Sequence, residues 1–491
     1  MSQSSSDADV LAGSSIDDDG DKPRDRAAGH AFRRFIDGPL LLVVSTLSVC
    51  ALGFLQKAPC QSRSFDFGPT VRNACYTDIY PLYFGRGLVD GKIPYFDKIQ
   101  EPVEYPVLTG WFMHAVNMVV RWFVHPAGDV DAVRLGHAMA FYNITALVLA
   151  LLAVVTVFAV SYAAGRRSRK AGLMVALSPG LLLAAYINWD LLAVALAALA
   201  VTAWARKRHV GAGVLLGLAI SAKFYPVIFL WPFLLLCARA GKWRELGRLF
   251  GGTALCWLVV NVPVMLFAWD GWVRFYTFSQ ERGVDWGSMF FYLMNGQGWT
   301  FVTHVSTLNH VAEAALAVLC LAIGALALLA PRRPRLPQLL FLMLAAFMLT
   351  NKVWSPQYIL WLLPLIVLAR PRLPAFLLWQ VGEFIYFIGI WWYLLAVSAQ
   401  RPGVGPHGLW EALTKLEAPA AGIDQNLYFV ALFARFVTVL LLVVLVVIDI
   451  LRPSRDIVRL DGDDDPAGGV LDGAEDRLTL PWLTKRAYAP V

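Results

Sequence analysis

The chain has 491 residues, of which 58% are hydrophobic and 16% charged, and its mean hydropathy is +0.57. A soluble globular chain is about 45–50% apolar and about 25% charged, so both departures point to lipid as the solvent. The net charge of +7 does not indicate a nucleic-acid partner, because the basic residues stand in short clusters between apolar runs, the pattern of cytoplasmic loops.

Residues 1–36 form a long Ser/Asp-rich stretch that reads as a disordered cytosolic tail. It is not a cleavable signal, which would carry a short basic leader; Arg33 and Arg34 instead precede the first apolar run, near 39–56. Further apolar segments follow near 137–163, 171–188, 191–205, 210–223, 226–238, 249–268, 311–330, 336–350, 357–369, 374–398 and 427–449. The fold class this predicts is an all-α polytopic membrane bundle of about twelve spans over residues 37–450. Basic clusters lie at Arg166–Lys170, Arg206–Arg208, Arg239–Arg248, Arg332–Arg335, Arg370–Arg372 and Arg452–Arg459. With the segments counted this way, every cluster falls on the side of Arg33 and Arg34. That side is then cytoplasmic, and both termini lie inside.

The same parity decides residues 105–124, which are apolar enough to tempt a further span. Accepting one would push Arg166–Lys170 outside, so the segment reads as a juxtamembrane helix in the outer interface. Its Trp111, His114, Asn117 and Trp122 suit an amphipathic surface segment. Between the basic clusters flanking 210–238, a hairpin is expected with its break at Lys223-Phe224-Tyr225-Pro226, where Pro ends a helix. Arms shorter than the roughly twenty residues of a crossing would hold Lys223 below the outer surface. A charge at such depth faces a cavity or a partner.

Two long outer loops, 57–136 and about 269–310, hold most of the polar residues, and the cytoplasmic loops are short. The chemistry is therefore expected outside, away from nucleotide sugars and ATP. Residues 451–491, with Asp461, Asp463, Asp464 and Asp465, read as a solvated cytosolic tail. The six cysteines show no zinc or redox spacing. Cys50, Cys237, Cys256 and Cys320 read as small core residues. Cys60 and Cys75 share one polar loop, and an extracytoplasmic position there makes a disulfide plausible.

The stretch from Cys75 to Pro106 concentrates candidate chemistry. Asp78 follows the first span closely. A carboxylate at the membrane surface can act as general base toward a sugar hydroxyl, although a lone Asp there would more simply cap a short helix. The order of Asp78, Gly91-Lys92-Ile93-Pro94-Tyr95, Glu104-Tyr105-Pro106, Lys223-Phe224-Tyr225-Pro226 and Ser355-Pro356-Gln357-Tyr358 resembles glycosyltransferase family 87. That is the actinobacterial GT-C group of polyprenol-phosphate-mannose-dependent α-1,2-mannosyltransferases and arabinofuranosyltransferases. Val107 departs from it, since members often carry a second Pro there, and no tandem acidic pair surrounds Asp78.

The resemblance implies a GT-C type bundle with interfacial helices in the first outer loop and Asp78 as catalytic base of an inverting transfer. The donor would be a polyprenyl monophosphate sugar, most simply of mannose, and the acceptor a glycolipid or glycan at the outer face of a bacterial plasma membrane. Lys223, Lys352 and His304 are the candidate donor-phosphate contacts. Glu104, Tyr105, Asp190, Tyr225, Gln357 and Tyr358 are the candidate sugar or acceptor contacts. Against these stand plainer readings: a snorkelling lysine at 223, an outer-loop lysine at 352, a helix cap at Asp190, interface aromatics at Trp354 and Tyr358, and polar surface for His304, His310, Asp270, Arg282 and Asp285. Glu383 and Arg435, inside late spans, are expected to pair structurally. No cofactor is expected, and without paired carboxylates no metal site is assigned. The rival functions are arabinofuranosyl transfer and a lipid-sugar transporter or flippase. The second predicts two related halves, which the sequence does not show.

Overall fold

The computed structural model describes residues 36–478. Residues 1–35, which hold Arg33, Arg34 and nearly all of the expected N-terminal tail, lie outside the described residues, as do 479–491. Ile36–Leu40 makes a π-helical turn around Pro39, and the described residues from Leu42 to Leu478 form one compact unit.

Every apolar segment named above is helical, and among the described residues there is no strand, only an isolated bridge between Val404 and Ile423. Six helices are long and apolar enough to cross a membrane: Gly38–Gln61, Val130–Ala163, Trp243–Phe267, Val305–Leu329, Leu373–Ser398 and Gln425–Leu451. The apolar helices Asp190–Ala205, His209–Ala222, Tyr225–Ala240, Leu336–Thr350 and Pro356–Ala369 are shorter. Proline explains part of this. Segment 171–188 is cut into Ser168–Ala176 and Pro179–Ala184, and the break before Pro226 separates two more arms.

The short helices lie inside. Leu336–Thr350 and Ile359–Ala369 are buried almost all round, the expected place for a helix without a polar face. The long helices form the periphery and show apolar side chains outward, as with Leu321 (69% exposed) and Leu266 (74%). Lipid is as apolar as these side chains, so helix pairing depends on close backbone approach at small residues. Gly213 and Gly217 lie against the Leu249 and Thr253 carbonyls of the Trp243–Phe267 helix, where an added Cβ would collide. Gly382 and Gly389 likewise let Leu373–Ser398 approach Ala434, Thr438 and Ala431 of Gln425–Leu451.

The helix ends sort the polar residues into two groups. His209–Ala222 starts beside the basic Arg206–Arg208 turn and ends at Lys223. Ile359–Ala369 starts beside Gln357 and ends with its Leu368 and Ala369 carbonyls accepting from Arg335. The basic end is closed by residues 449–476, contrary to the solvated tail expected from sequence. Arg335 pairs with Asp456 at 2.7 Å with both side chains 1% exposed, and Arg370 pairs with Asp449 at 2.9 Å. Arg239 and Arg333 share Asp476, while Arg166, Arg167 and Arg332 hold Asp463, Asp461 and Asp464. Trp204 donates its indole N–H to the Gly468 carbonyl. The acidic run is therefore a strap. It gathers loops from four of the basic clusters, because a carboxylate among so many guanidinium groups gains more from pairing than from solvation.

The 105–124 segment is a helix, Val107–Phe123, with Met113, Val116 and Val120 inward and Trp122 and Phe123 outward. Asn117 differs from expectation. It is 1% exposed, accepts from the Tyr83 hydroxyl and donates to the Leu88 carbonyl, so it fixes the helix to the first loop.

Candidate active site

Cys60 and Cys75 form a disulfide, which ties the end of the first long helix to the turn before Asp78. Lys57, wholly buried, donates to the Tyr76 carbonyl and secures the same turn. Asp78 occupies the N-cap position of Ile79–Gly85, yet its side chain makes no cap hydrogen bond. Thr77 does that work instead, its hydroxyl oxygen accepting from the Ile79 N–H. The Asp78 carboxylate is left to accept from the Tyr76 hydroxyl at 2.5 Å. The αR backbone of Asp78, with φ −81° and ψ −23°, is not the extended conformation from which a side chain caps its helix.

Asp78 lines a cavity of about 520 Å³. With it stand Glu104 and Tyr105 from the first loop, Lys223 from the helix break, Arg282 and Asp285 from the second loop, and Gln357 and Tyr358 from the Ser355–Tyr358 turn. Aromatic walls come from Tyr76, Trp286, Tyr386 and Trp391; Tyr76 stacks on Trp391 with ring centroids 4.7 Å apart. Burial pushes the Asp78 carboxyl up to about 6, against the downward pull of the Tyr76 hydrogen bond and the Lys223 charge. A carboxyl at that value is a more effective base near neutrality than an ordinary aspartate.

The cations are held differently. Lys223 pairs with Asp190 at 2.9 Å and lies 4.7 Å from the Tyr105 ring centroid. Asp190 itself is 1% exposed and also accepts from the Trp361 indole at 2.9 Å, so it supports Lys223 from beneath and does not line the cavity. It is also not a side-chain cap. Tyr225 is likewise set back, stacked on Trp361 at 4.2 Å. Glu104 is on the wall but committed to Arg86 through a bidentate pair at 2.6 and 2.9 Å. Arg282 is the more open cation, 39% exposed and braced by Asp285 at 2.7 Å.

Two residues expected to meet phosphate, Lys352 and His304, do not line this cavity. Lys352 is 6% exposed and donates to the backbone carbonyls of Gln280 and Arg282, at 3.0 and 2.5 Å. Its ammonium therefore fastens the second loop and positions Arg282. His304 is exposed at the start of Val305–Leu329 and does not line the cavity. Tyr76 was missed because nothing in its spacing marks it; it is a chain neighbour of Asp78, and only the folded turn shows the contact.

The turn carrying Gln357 is fixed by a buried ion pair. Arg435 Nε lies 3.1 Å from Glu383, at 0% and 3% exposure. Its other nitrogens donate to the Trp354 and Ser355 carbonyls at 2.7 and 3.0 Å, between the Trp354 and Tyr386 rings. Among the described residues, no group of three or more His, Cys, Asp or Glu side chains is placed to hold a metal ion.

Comparison with known families places a Glycosyltransferase family 87 domain over residues 132–356, a little under half the chain. The matched region contains Lys223, Arg282 and Lys352 and ends at Pro356, while Asp78 and Glu104 precede it. No curated protein matches the chain.

Proposed function

We propose, from the family 87 domain and the cavity joined to it, that the chain is a membrane glycosyltransferase moving a sugar from a polyprenyl-phosphate donor to a glycolipid or glycan hydroxyl. The observation that carries this reading is Asp78: a carboxylate freed from capping, pushed up to about 6, and facing a cavity that also holds Lys223 and Arg282. Asp78 takes the proton of the acceptor hydroxyl. The acceptor oxygen forms its bond to the anomeric carbon as the carbon–oxygen bond to the lipid phosphate breaks, and the configuration inverts. The phosphate leaves with the electron pair, and Arg282 and Lys223 stabilise its charge. Tyr76, Tyr105 and Trp391 offer ring faces to the sugar.

The basic end with its acidic strap faces the cytoplasm in this reading, by the excess of Arg and Lys. The cavity then opens to the outer face of the plasma membrane, where only lipid-linked donors are present. The sugar is taken as mannose, with arabinofuranose as the competing donor. The test is transfer of radiolabelled sugar by the purified full chain, offered both polyprenyl-phosphate donors without an ion gradient. Wild type should transfer one of them, and Asp78→Asn should lose about 10²–10⁴-fold in rate. Full transfer by Asp78→Asn would remove Asp78 as base. Movement of labelled lipid across vesicles without transfer would favour a flippase.

A further inference from the structure

A second cavity, of about 660 Å³, lies at the basic end between the helices Ser168–Ala176 and Leu373–Ser398. Its lining divides by chemistry. Arg166, Arg167, Arg169 and Lys170 form one end, and Leu173, Leu177, Leu373 and Leu377 form much of the other. Leu177, Leu373 and Leu377 are 56%, 44% and 50% exposed, so the apolar half opens onto the surface that lipid would cover.

The charge at the basic half is not balanced. Asp463 and Asp461 of the strap pair with Arg166 and Arg167. Among the described residues, Arg169 and Lys170 have no carboxylate within ion-pair distance. Burial and the charges of Arg167 and Arg372 hold the Lys170 ammonium below its usual value, against the upward pull of Asp461. Asp461 of the strap acts on Lys170 from beyond ion-pair distance and is itself committed to Arg167, so neither Arg169 nor Lys170 has a carboxylate of its own. An anion with an attached hydrocarbon chain answers both halves of the lining, and a chainless anion answers only one.

We propose that this groove binds an anionic glycerophospholipid, its phosphate on Arg169 and Lys170 and an acyl chain along Leu173, Leu177, Leu373 and Leu377. The lipid would belong to the leaflet bordering the basic end. It would bridge Ser168–Ala176 to Leu373–Ser398, whose preceding turns the strap also holds, and the site is separate from the cavity of Asp78. Each basic residue near a membrane surface contributes about 1 kcal/mol toward an anionic headgroup, so two set the scale of the preference at about thirtyfold.

The test counts lipid on the full chain by native mass spectrometry, titrating detergent-purified protein with phosphatidylglycerol or phosphatidylcholine of identical acyl chains. Wild type should prefer phosphatidylglycerol by about thirtyfold. The double variant Arg169→Gln with Lys170→Gln should lose that preference, and Arg169→Lys with Lys170→Arg should keep it. Leu177→Trp should weaken phosphatidylglycerol binding by filling the groove. A melting temperature matching wild type in phosphatidylcholine shows that each variant is folded. Equal binding of the two lipids by wild type, or a preference that survives the double Gln variant, overturns the proposal. So does displacement of the lipid by inorganic phosphate alone. If the preference emerges only after Asp17, Asp18, Asp19 and Asp21 are changed to Asn, the chain's own N-terminal carboxylates occupy the groove and the lipid is not its ligand.

Discussion

At the basic end Asp456 accepts hydrogen bonds from Arg335 Nε and Nη2, from Gln338 Nε2 and from the Val458 N–H, at 2.7–3.2 Å. At the cavity end Asp78 accepts from a single side chain, Tyr76, and faces open space. Both carboxylates stand at a helix N-terminus, Asp456 as a side-chain cap and Asp78 as a residue whose cap is made by its neighbour. The difference shows how one residue type holds a bundle together at one end and stays available for chemistry at the other. Saturated lone pairs make structure, and spare ones make a site.

The largest effect should come from breaking the saturated end. Arg335→Met leaves Asp456 buried without its cation and should cost about 3–5 kcal/mol in unfolding. Adding Asp456→Leu should restore much of that, because replacing both partners removes the stranded charge. Asp78→Asn, by contrast, should leave the melting temperature at or slightly above that of wild type, since burial already disfavours the charged form. Thermal unfolding in detergent compares all three, and a severe loss in Asp78→Asn would erase the distinction between the ends.

Next in size is the disulfide that carries the cavity loop. Cys60 and Cys75 are 15 residues apart, and closing such a loop restricts the unfolded chain by about 3 kcal/mol. Cys60→Ser with Cys75→Ser should therefore lower stability by roughly that amount. Transfer should fall at temperatures where the helices persist, because the turn bearing Tyr76 and Asp78 loses its anchor. Unchanged transfer in the double variant would mean that Lys57 alone suffices to hold the turn.

The sequence made the helical segments legible, because long apolar runs admit little else. It also marked the break at Lys223 and the loop containing Asp78. It did not show the strap, because Asp456 and Asp465 look like any acidic tail until Arg335 and the Leu336 N–H are brought to them from over a hundred residues away. It set Lys223 ahead of Lys352 for its place at a helix break, but it did not show where Lys352 goes. Both are lysines beside a proline-containing turn, and only tertiary contacts aim one at the cavity and the other at backbone carbonyls.

Stability and transfer should respond oppositely to pH. Burial pushes the Asp465 carboxyl up to about 6, with the Arg335 charge acting against it. Its contribution to stability is thus full below the ordinary aspartate value and is lost as pH rises through about 6. Asp465→Asn should flatten that part of the stability profile, by on the order of 2–3 kcal/mol across the window. At the cavity the base must be deprotonated, so transfer should rise as pH climbs through about 6. Measured together, unfolding and transfer should cross. Asp78 is raised to the same value and would give the same crossing, so a fall in stability that Asp465→Asn leaves unchanged would assign it to Asp78.

The smallest and sharpest test concerns Tyr76. Its hydroxyl donates to Asp78, which favours the charged carboxylate and offsets part of the effect of burial. Tyr76→Phe removes that donor and keeps the ring that stacks on Trp391. The Asp78 carboxyl should therefore move further up, carrying the acid limb of the transfer profile upward by about one pH unit. Transfer near pH 6 should drop roughly fivefold while the plateau well above the limb stays close to wild type. A limb that moves down or stays fixed would mean that Tyr76 does not tune the base. A plateau that falls with the limb unmoved would instead make Tyr76 part of the sugar-binding wall.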